Sequence, residues 1–260
     1  MTIATVGLLH PGAMGAAVGR VLVRTGRSVL WASDGRSADS AARAEQAGLQ
    51  DAGTAAALAA RSDLVLSICP PHGALDTARA IGRFDGVYVD ANAVSPGTAE
   101  VVATIVEAGG GTYVDGGIIG PPPRERGTTR LYLSGDRAGE VARLFLDARL
   151  EPVVVDGGRF AASATKMAYA AWTKVGAALL LSAHEVAERL EVDDVLRAEW
   201  AISQPELAGR LASARRSATA KGWRWEAEMH EIAATFAQVG LPDGFGESAA
   251  EVFGRFPRPG

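Results

Sequence analysis

The first segment of the sequence that could do chemistry is a glycine-containing turn between Gly7 and Gly19, GLLHPGAMGAAVG. A turn of this kind, between a first strand and a first helix, brings the backbone close to a pyrophosphate and offers it N–H groups. In the GxGxxG register, the glycine positions are taken by His10, Gly12 and Gly15. A tight strand–helix connection without a ligand is the alternative. The predicted dinucleotide-binding residues of the turn are His10, Pro11, Gly12, Ala13 and Met14.

The histidine in this turn raises a question of backbone geometry, because His10 stands where the sharpest bend is expected. Proline fixes its own φ at about −65°, so we expect Pro11 to make the bend. The close approach to phosphate then falls to Gly12 and to the N–H groups of Ala13 and Met14. A direct contact between His10 and phosphate is a second interpretation.

A polar segment after the presumed second strand, residues 32–48, lies where a dinucleotide fold reads the adenosine ribose. An acid at the strand end, here Asp34, hydrogen-bonds a free 2′-hydroxyl and repels a 2′-phosphate. Arg36 and Ser37 follow at once, and a guanidinium with a hydroxyl at a helix N-terminus forms a phosphate site. Arg36 and Ser37 therefore predict NADP (NADPH) rather than NAD, and Ser33, at the strand end, is a further predicted cofactor-binding residue. Alternatively, Arg36 is a solvated turn residue and Ser37 only a helix cap, and Asp34 keeps NAD open.

The elements that must position these residues follow from the pattern up to about residue 157. Short β-rich runs alternate there with alanine-rich stretches, which predicts a parallel sheet with helices on both faces. Ligands bind beyond the carboxyl ends of such strands, so the strand-end residues should line one crevice. The predicted strands are Ile3–Leu9, Val29–Ala32, Leu64–Ile68, Val87–Asp90, Thr112–Asp115, Leu131–Ser134 and Val153–Val155. The strand-end residues are His10, Ser33, Cys69, Asn92 and Gly116.

Two of these strand ends carry further predictions. Cys69, Pro70 and Pro71 are expected to form a rigid wall beside the nucleotide, because consecutive prolines remove donors and flexibility. No sequence neighbour suggests a thiolate, so Cys69 is not expected to be a nucleophile. Asn92 is expected to hydrogen-bond the nicotinamide carboxamide or the substrate, with a turn residue bonding its own backbone as the alternative.

After Gly157 and Gly158 the residue pattern changes and no further strand is indicated. From Phe160 to about Leu190 the chain reads as one long, mostly apolar helical stretch, followed by more helices. We therefore predict a Rossmann domain over residues 1–157 and an all-helical domain over residues 158–260. The apolar surface of so many helices predicts a homodimer formed through them.

Composition restricts the class of protein. The chain has 260 residues and a formal net charge of −4, which gives no electrostatic footprint for nucleic acid. The single cysteine excludes an internal disulfide, and no metal-binding spacing is present, so no structural metal is expected. The opening run to Leu9 is interpreted as a buried strand rather than a signal peptide or membrane span. A cytoplasmic protein with a small-molecule substrate is expected.

The motifs together resemble the β-hydroxyacid dehydrogenase superfamily, which includes 6-phosphogluconate dehydrogenase, 3-hydroxyisobutyrate dehydrogenase and, more distantly, imine reductases. GLLHPGAMG is similar to the family turn GxxGxGxMG, with His10 replacing its second glycine, and Gly35–Ser37 is similar to its NADP-reading motif. Asp115–Pro121, DGGIIGP, stands for the substrate loop DAPVSGG. GGRFAASATKMAYAAWTK resembles GxGxxxKxxNN and puts Lys166 on the catalytic lysine. The likeness points to a branch with its own C-terminal helical domain.

This resemblance implies an α/β fold, a doubly wound Rossmann sheet followed by an all-α domain. It implies hydride transfer between the nicotinamide of NADP and a small polar alcohol or carbonyl compound of the hydroxy acid type, with Lys166 as general acid and base. Tyr169 shares the helix face of Lys166 and is expected to hydrogen-bond the same reacting atom. Ordinary packing is an equal alternative for Tyr169. Asn92 completes the predicted catalytic group.

Two positions depart from the family pattern. The serine that holds a substrate carboxylate corresponds to Ile119, and the asparagines after the lysine correspond to Tyr169 and Ala170. A more apolar pocket is expected, although Arg124 could clamp an anionic substituent if it is not a solvated loop residue. The predicted substrate-binding residues are Gly117, Ile118, Ile119, Arg124, Trp172 and Trp225.

Two alternatives to this oxidoreductase remain. An imine reductase is favoured by the apolar Ile119 and by Tyr169 near the lysine. A protein that binds NADP as a sensor, without turnover, has the same nucleotide motifs but no need for Lys166.

Overall fold

The computed structural model of the chain describes residues 3–146 and 148–258, and the first part folds around one eight-stranded sheet. The strands are β1 Thr5–Leu9, β2 Ser28–Trp31, β3 Gln50–Asp51, β4 Leu64–Ser67, β5 Val87–Asp90, β6 Thr112–Ile119, β7 Thr129–Ser134 and β8 Leu150–Val154. Their order across the sheet is β3-β2-β1-β4-β5-β6-β7-β8. The first six follow the doubly wound order of dinucleotide-binding folds. Neighbouring strands are parallel except β6 and β7, where Asp115 lies opposite Ser134.

Helices cover both faces of this sheet. They are α1 Ala13–Arg24, α2 Ala38–Ala47, α3 Ala55–Ala60, α4 Ala74–Ala80, α5 Pro96–Ala108, α6 Ala138–Ala142 and α7 Ala161–Ala170. Successive side chains of a strand point to opposite faces. Leu8 of β1 accordingly packs in a core cluster with Leu22 of α1, and Leu9 packs in a second cluster with Val102 of α5. The predicted fold class is confirmed.

Local sequence signals explain where these elements begin. Ser95 caps α5 by accepting a hydrogen bond from the backbone N–H of Thr98 at 3.1 Å, and Pro96 occupies the first helical position, as predicted. All the predicted strands are present. However, β6 runs on to Ile119 instead of ending at Asp115, and β3 was missed.

After α7, the described residues of the second part of the chain form only helices and the turns that connect them. A π-helical turn, Ala171–Val175, joins α7 to α8 Gly176–Arg189, so the predicted long helical stretch is three consecutive pieces. The remaining helices are α9 Asp193–Ser203, α10 Leu207–Lys221, α11 Glu226–Gln238 and α12 Gly244–Gly254. Short 3₁₀ turns lie at Pro71–Gly73, Arg143–Phe145 and Gly222–Arg224. No helix in the described ranges combines the length and apolarity that a bilayer span requires.

The chain divides into two units, Met1–Lys166 and Met167–Gly260. Helix α7 therefore begins in the first unit and ends in the second. The domain boundary predicted from the sequence lies after Gly157 and Gly158, where the β-rich pattern ends. The roles assigned to residues 1–157 and 158–260 stay predictions.

Candidate functional site

The turn after β1 has its bend at the histidine. His10 adopts the left-handed conformation, with a φ of 68°, so the expectation that proline geometry alone makes the bend is wrong. The backbone N–H of Gly12 then donates to the carbonyl oxygen of His10 at 2.8 Å. Histidine is among the residues that tolerate this region, at a cost of about 1 kcal/mol relative to glycine. His10 thus adopts the left-handed backbone conformation that glycine usually takes at such a bend.

Two glycines of this turn have different tasks. A β-carbon on Gly15 would lie 2.4 Å from the carbonyl oxygen of His10, so only glycine lets α1 approach the bend this closely. A β-carbon on Gly12 would meet no atom within 4 Å and would project into open space. The N–H groups of Ala13 and Met14 belong to the first helical turn, where no helical carbonyl can accept from them. No acidic residue lies in that turn, so the site fits a phosphate.

The imidazole of His10 sits beside this helix end. Its Nδ1 is buried and has no hydrogen-bond partner among the described residues. Burial, with a smaller effect of the guanidinium charge of Arg36, lowers the pKa of His10 to about 4. The ring is therefore neutral near pH 7 and offers a nitrogen to a polar ligand.

The predicted ribose-binding residues follow β2. Asp34 and Arg36 are exposed, and Ser37 caps α2 by accepting from the backbone N–H of Ser40 at 3.3 Å. Ser37 therefore does serve as a helix cap, which also places it at an anion-favouring helix end. The hydroxyl of Ser33 bonds to the carboxylate of Asp51 and helps to lower the pKa of Asp51, after the larger effect of a backbone hydrogen bond from Gly53.

Arg43 was missed at the sequence level. Its Nε donates to the carbonyl oxygen of Pro11 at 3.1 Å, and a terminal nitrogen donates to Ser40 Oγ at 3.1 Å. A second guanidinium thus joins the first turn to the start of α2. Arg43 is the sixth residue of an ordinary-looking helix, so its position gave no signal beyond its charge.

Asn92 connects the ends of two strands. Its Oδ1 accepts from the backbone N–H of Cys69 at 2.6 Å, and its Nδ2 donates to Ser67 Oγ at 3.0 Å. The side chain is buried and holds the wall formed by Cys69, Pro70 and Pro71 against β4. Its predicted contact with the nicotinamide or substrate stays a prediction. Burial raises the pKa of the Cys69 thiol to about 11, which disfavours a thiolate.

Two buried carboxyl groups are neighbours on the adjacent strands β5 and β6. Asp90 ends β5 and pairs in register with Asp115 of β6. Burial, opposed by a backbone hydrogen bond from Asn92 and reinforced by the charge of Asp115, raises the pKa of Asp90 to about 7. Burial likewise raises the pKa of Asp115 to about 6, although hydrogen bonds from Ser163 oppose the change.

Most of the segment Asp115–Pro121, which resembles a substrate loop, belongs to strand β6. Because β6 continues to Ile119 beside β7, its residues alternate between the two faces of the sheet. Ile118 belongs to the hydrophobic core, so burial gives no support to its predicted substrate contact. Ile119 is also buried, whereas Arg124 lies in the exposed loop that follows, where its carbonyl accepts from Arg149 at 2.7 Å.

Gly117 lies against the lysine that the resemblance singles out. A β-carbon on Gly117 would come within 2.8 Å of the β-carbon of Lys166 and within 3.0 Å of the carbonyl oxygen of Ala162. The absence of a side chain on Gly117 therefore lets α7 approach β6. This contact puts Lys166, which is partly buried, just beyond the point where β5 ends.

The other predicted residues lie on the helices that follow. Tyr169 is 49% exposed and Trp172 is 72% exposed. In the second unit, Trp172 and Trp225 line one cavity of about 570 Å³, together with Lys174 and Arg210. The sequence thus selected two tryptophans that share a cavity, and their contact with a substrate stays a prediction.

Sequence comparisons match parts of the chain. The family model for a domain of unknown function, DUF1932, matches residues 187–256. The uncharacterized 28.5 kDa protein in the 7S RNA 5′ region of Methanothermus fervidus is 34% identical over 141 residues. That match covers 54% of this chain and 53% of the relative, so the chain spans about half the length of the curated relative it matches.

Solved structures match over nearly the whole chain. The conserved protein MTH1747, described as similar in structure to 3-hydroxyacid dehydrogenases, has a TM-score of 0.73 and 27% identity, covering 97% of this chain and 96% of that one. The 3-hydroxyisobutyrate dehydrogenase of Mycobacterium tuberculosis, with L-serine, has a TM-score of 0.70 and 19% identity, covering 98% and 94%. This chain has the 3-hydroxyacid dehydrogenase fold. The predicted resemblance is confirmed at this level.

A solved structure from another class of enzyme is also similar to this chain. The reductive aminase of Aspergillus terreus, in complex with NADPH4, cyclohexanone and allyl amine, has a TM-score of 0.57 and 20% identity. The match covers 96% of this chain and 93% of that one. The more distant likeness to imine reductases, implied by the motifs, is therefore also present in the fold.

Proposed function

We propose that this protein is an NADP-dependent oxidoreductase that transfers a hydride between the nicotinamide and a small alcohol or carbonyl compound. The observation that carries the proposal is the contact between Gly117 and Lys166, which sets this lysine against β6 two residues past the point where the neighbouring strand β5 ends. The phosphate-binding turn at His10 opens beyond the carboxyl end of β1 in the same unit. The 3-hydroxyacid dehydrogenase fold supports the same class of reaction.

Each group of this chain then has a defined task. The turn from His10 to Met14 binds the pyrophosphate through backbone N–H groups. A bound NADPH supplies the hydride. Lys166 would donate a proton to the carbonyl oxygen in reduction and would accept the proton of the alcohol in the reverse reaction.

The preference for NADP rests on positive charge around the start of α2. Arg36, the capping Ser37 and Arg43 surround the helix end that follows β2, and all three can donate to a 2′-phosphate. Solved proteins of the same fold in complex with NADP⁺ or NADPH support this choice. The exposed Asp34 is the feature that would favour NAD.

A second candidate is reduction of an imine. It is favoured by Ile119, which stands where the family uses a serine to hold a carboxylate, and by the fold shared with a reductive aminase. In that reaction Lys166 or Tyr169 would hydrogen-bond the substrate nitrogen.

We also propose a homodimer formed through the helices of the second unit. Many large apolar side chains of that unit are exposed, which is unusual for a monomer surface. They are Trp172, Leu179, Val186, Leu190, Val192, Val195, Ile202, Val239, Leu241 and Phe245. Light scattering that gives a monomer mass at micromolar concentration would contradict it. The cytoplasmic location and the absence of nucleic-acid or membrane partners stay predictions.

The test of the proposed reaction compares two substitutions at one position. Lys166→Met removes the ammonium group, and Lys166→Arg keeps the charge but gives a side chain that does not release its proton. NADPH oxidation is measured against panels of aldehydes, keto acids and imines. We expect both variants to bind NADPH as the parent does and to lose turnover by at least about a hundredfold. Tight NADPH binding without turnover on any panel would instead indicate a sensor.

A further inference from the structure

We propose that Asp115 is the positioning residue for Lys166, because its carboxylate fixes the first turn of α7 against β6. This inference rests on the proposed function of Lys166. It assigns a task to a buried group that does not itself touch the reacting atoms.

The contacts of Asp115 join a strand to a helix start. Its Oδ2 accepts from the backbone N–H of Ser163 at 2.8 Å, and its Oδ1 accepts from the hydroxyl of the same serine. Ser134 Oγ lies 3.0 Å from Oδ2 and accepts from the backbone N–H of Ala162 at 2.9 Å. The first-turn N–H groups of α7, which have no helical acceptors, are thus satisfied by side chains of β6 and β7.

The spacing on both elements explains how this bond acts on the lysine. Asp115 and Gly117 point to the same face of β6, because side chains alternate along a strand. Ser163 and Lys166 lie three residues apart and therefore share a face of α7. Across the two elements, Ser163 forms a charge-assisted hydrogen bond with Asp115, and Lys166 forms the close contact with Gly117. Together they fix both the height and the rotation of α7.

Burial makes this arrangement sensitive to a small chemical change. Asp115, Ser134 and Ser163 are each at most 1% exposed, so water cannot replace a lost hydrogen bond. The charged and titratable neighbours are Asp90 on β5 and Tyr113 on β6. Tyr113 has a single oxygen, and Oδ1 of Asp90 already accepts from the backbone N–H of Asn92 at 3.1 Å. Loss of the carboxylate therefore releases the first turn of α7.

A shift of about 1 Å at a reacting group can cost about a hundredfold in rate. We expect Asp115→Asn to lower kcat about ten- to a hundredfold, because an amide accepts at one atom only. The Kd for NADPH, measured by calorimetry, should change less than about twofold, since the turn at His10 is untouched. Ser163→Ala removes one of the two hydrogen bonds and should have a smaller effect in the same direction.

A readout independent of turnover is available because the chain has only three lysines, Lys166, Lys174 and Lys221. After reductive ¹³C-methylation, each lysine gives one methyl signal that is assigned through Lys→Arg variants. We expect Asp115→Asn to shift the signal of Lys166 and its titration midpoint, while the signal of Lys221, which belongs to the second unit, stays unchanged. If Asp115→Asn fails to fold, Ser163→Ala is the deciding variant.

The outcomes separate this inference from the proposed function. A moved Lys166 signal in a chain that has no turnover on any substrate supports the positioning task and contradicts the proposed reaction. An unchanged Lys166 signal with unchanged kcat overturns the inference. A fall in kcat that persists equally when Asp115→Asn is made in the Lys166→Met background also overturns it, because the effect would not act through the lysine.

Discussion

The carbonyl oxygen of His10 lies 2.4 Å from the position that a β-carbon on Gly15 would occupy. Real β-carbons do not come this close to an oxygen, so Gly15→Ala must displace either the bend or the start of α1. We expect the free energy of unfolding to fall by about 1–3 kcal/mol, as for other overpacked sites. Urea unfolding followed by circular dichroism measures this change.

The matched substitution in the same turn is Gly12→Ala. A methyl group there meets no protein atom within 4 Å, so stability should change by less than about 1 kcal/mol. The methyl group would occupy the space where we propose that the pyrophosphate binds. NADPH affinity should therefore fall at least about tenfold, and a Gly12→Ala variant that binds NADPH normally would contradict the proposed site.

The left-handed conformation of His10 gives a second prediction. His10→Gly removes backbone strain but loosens the unfolded chain, and these effects of about 1 kcal/mol each nearly cancel. His10→Val places a β-branched residue at a φ of 68° and should destabilise the fold by roughly 2 kcal/mol. Thermal unfolding distinguishes the two variants. If His10 also contacts phosphate, His10→Gly will weaken NADPH binding without loss of stability.

Arg36 gives a prediction about cofactor choice. Arg36→Ala removes a guanidinium beside the helix end that begins at Ser37, so NADPH affinity should fall about ten- to a hundredfold. NADH affinity should change less than about twofold. The control is Arg83→Ala, an exposed arginine four residues before β5 and therefore at the amino ends of the strands. Equal losses for both nucleotides after Arg36→Ala would show that Arg36 does not read the 2′-phosphate.

The fold was predictable because its signals are local. Short β-rich runs between alanine-rich stretches predicted the strands that contain Leu8 and Val89, and Ser95 with Pro96 predicted the start of α5. The two-residue strand β3 was missed because both its residues are exposed and polar. The extension of β6 to Ile119 was missed because two glycines are poor strand formers, and here they serve close packing.

The site was predictable only in part, because its decisive contacts join distant residues. Lys166 and Gly117 were selected one by one from motifs, but nothing local indicates that they touch. The bond from Ser163 to Asp115 spans 48 residues. The same holds for Asn92, whose partners Ser67 and Cys69 lie at and just after the end of β4.

Gly117 gives a prediction about catalysis. Gly117→Ala forces the new methyl group and the β-carbon of Lys166 apart from a separation of 2.8 Å. Because the lysine must move, we expect kcat to fall at least about tenfold while NADPH affinity is retained. Gly139→Ala in α6 is the control, since its new methyl group meets no atom within 4 Å. Full activity of Gly117→Ala would show that the close contact has no catalytic consequence.

Asp90 gives a prediction about the pH dependence of stability. Burial raises its pKa to about 7, whereas in the unfolded chain the carboxyl titrates near about 4. The native state therefore keeps a proton that the unfolded state releases. The stability from Asp90 is complete below about pH 4 and is lost as the pH rises to about 7. Asp115, whose pKa is also raised, has the same sign.

His10 acts in the opposite direction, so the profile of the parent protein alone cannot isolate Asp90. Its pKa is lowered to about 4, and it stabilises the fold increasingly as the pH rises from about 4 to about 6.5. The difference between Asp90→Asn and the parent removes this contribution from both sides. That difference should move in favour of Asp90→Asn by roughly 2–4 kcal/mol between pH 4 and pH 7, measured by urea unfolding. A difference that stays constant with pH would mean that Asp90 is ionised in the native state throughout this range.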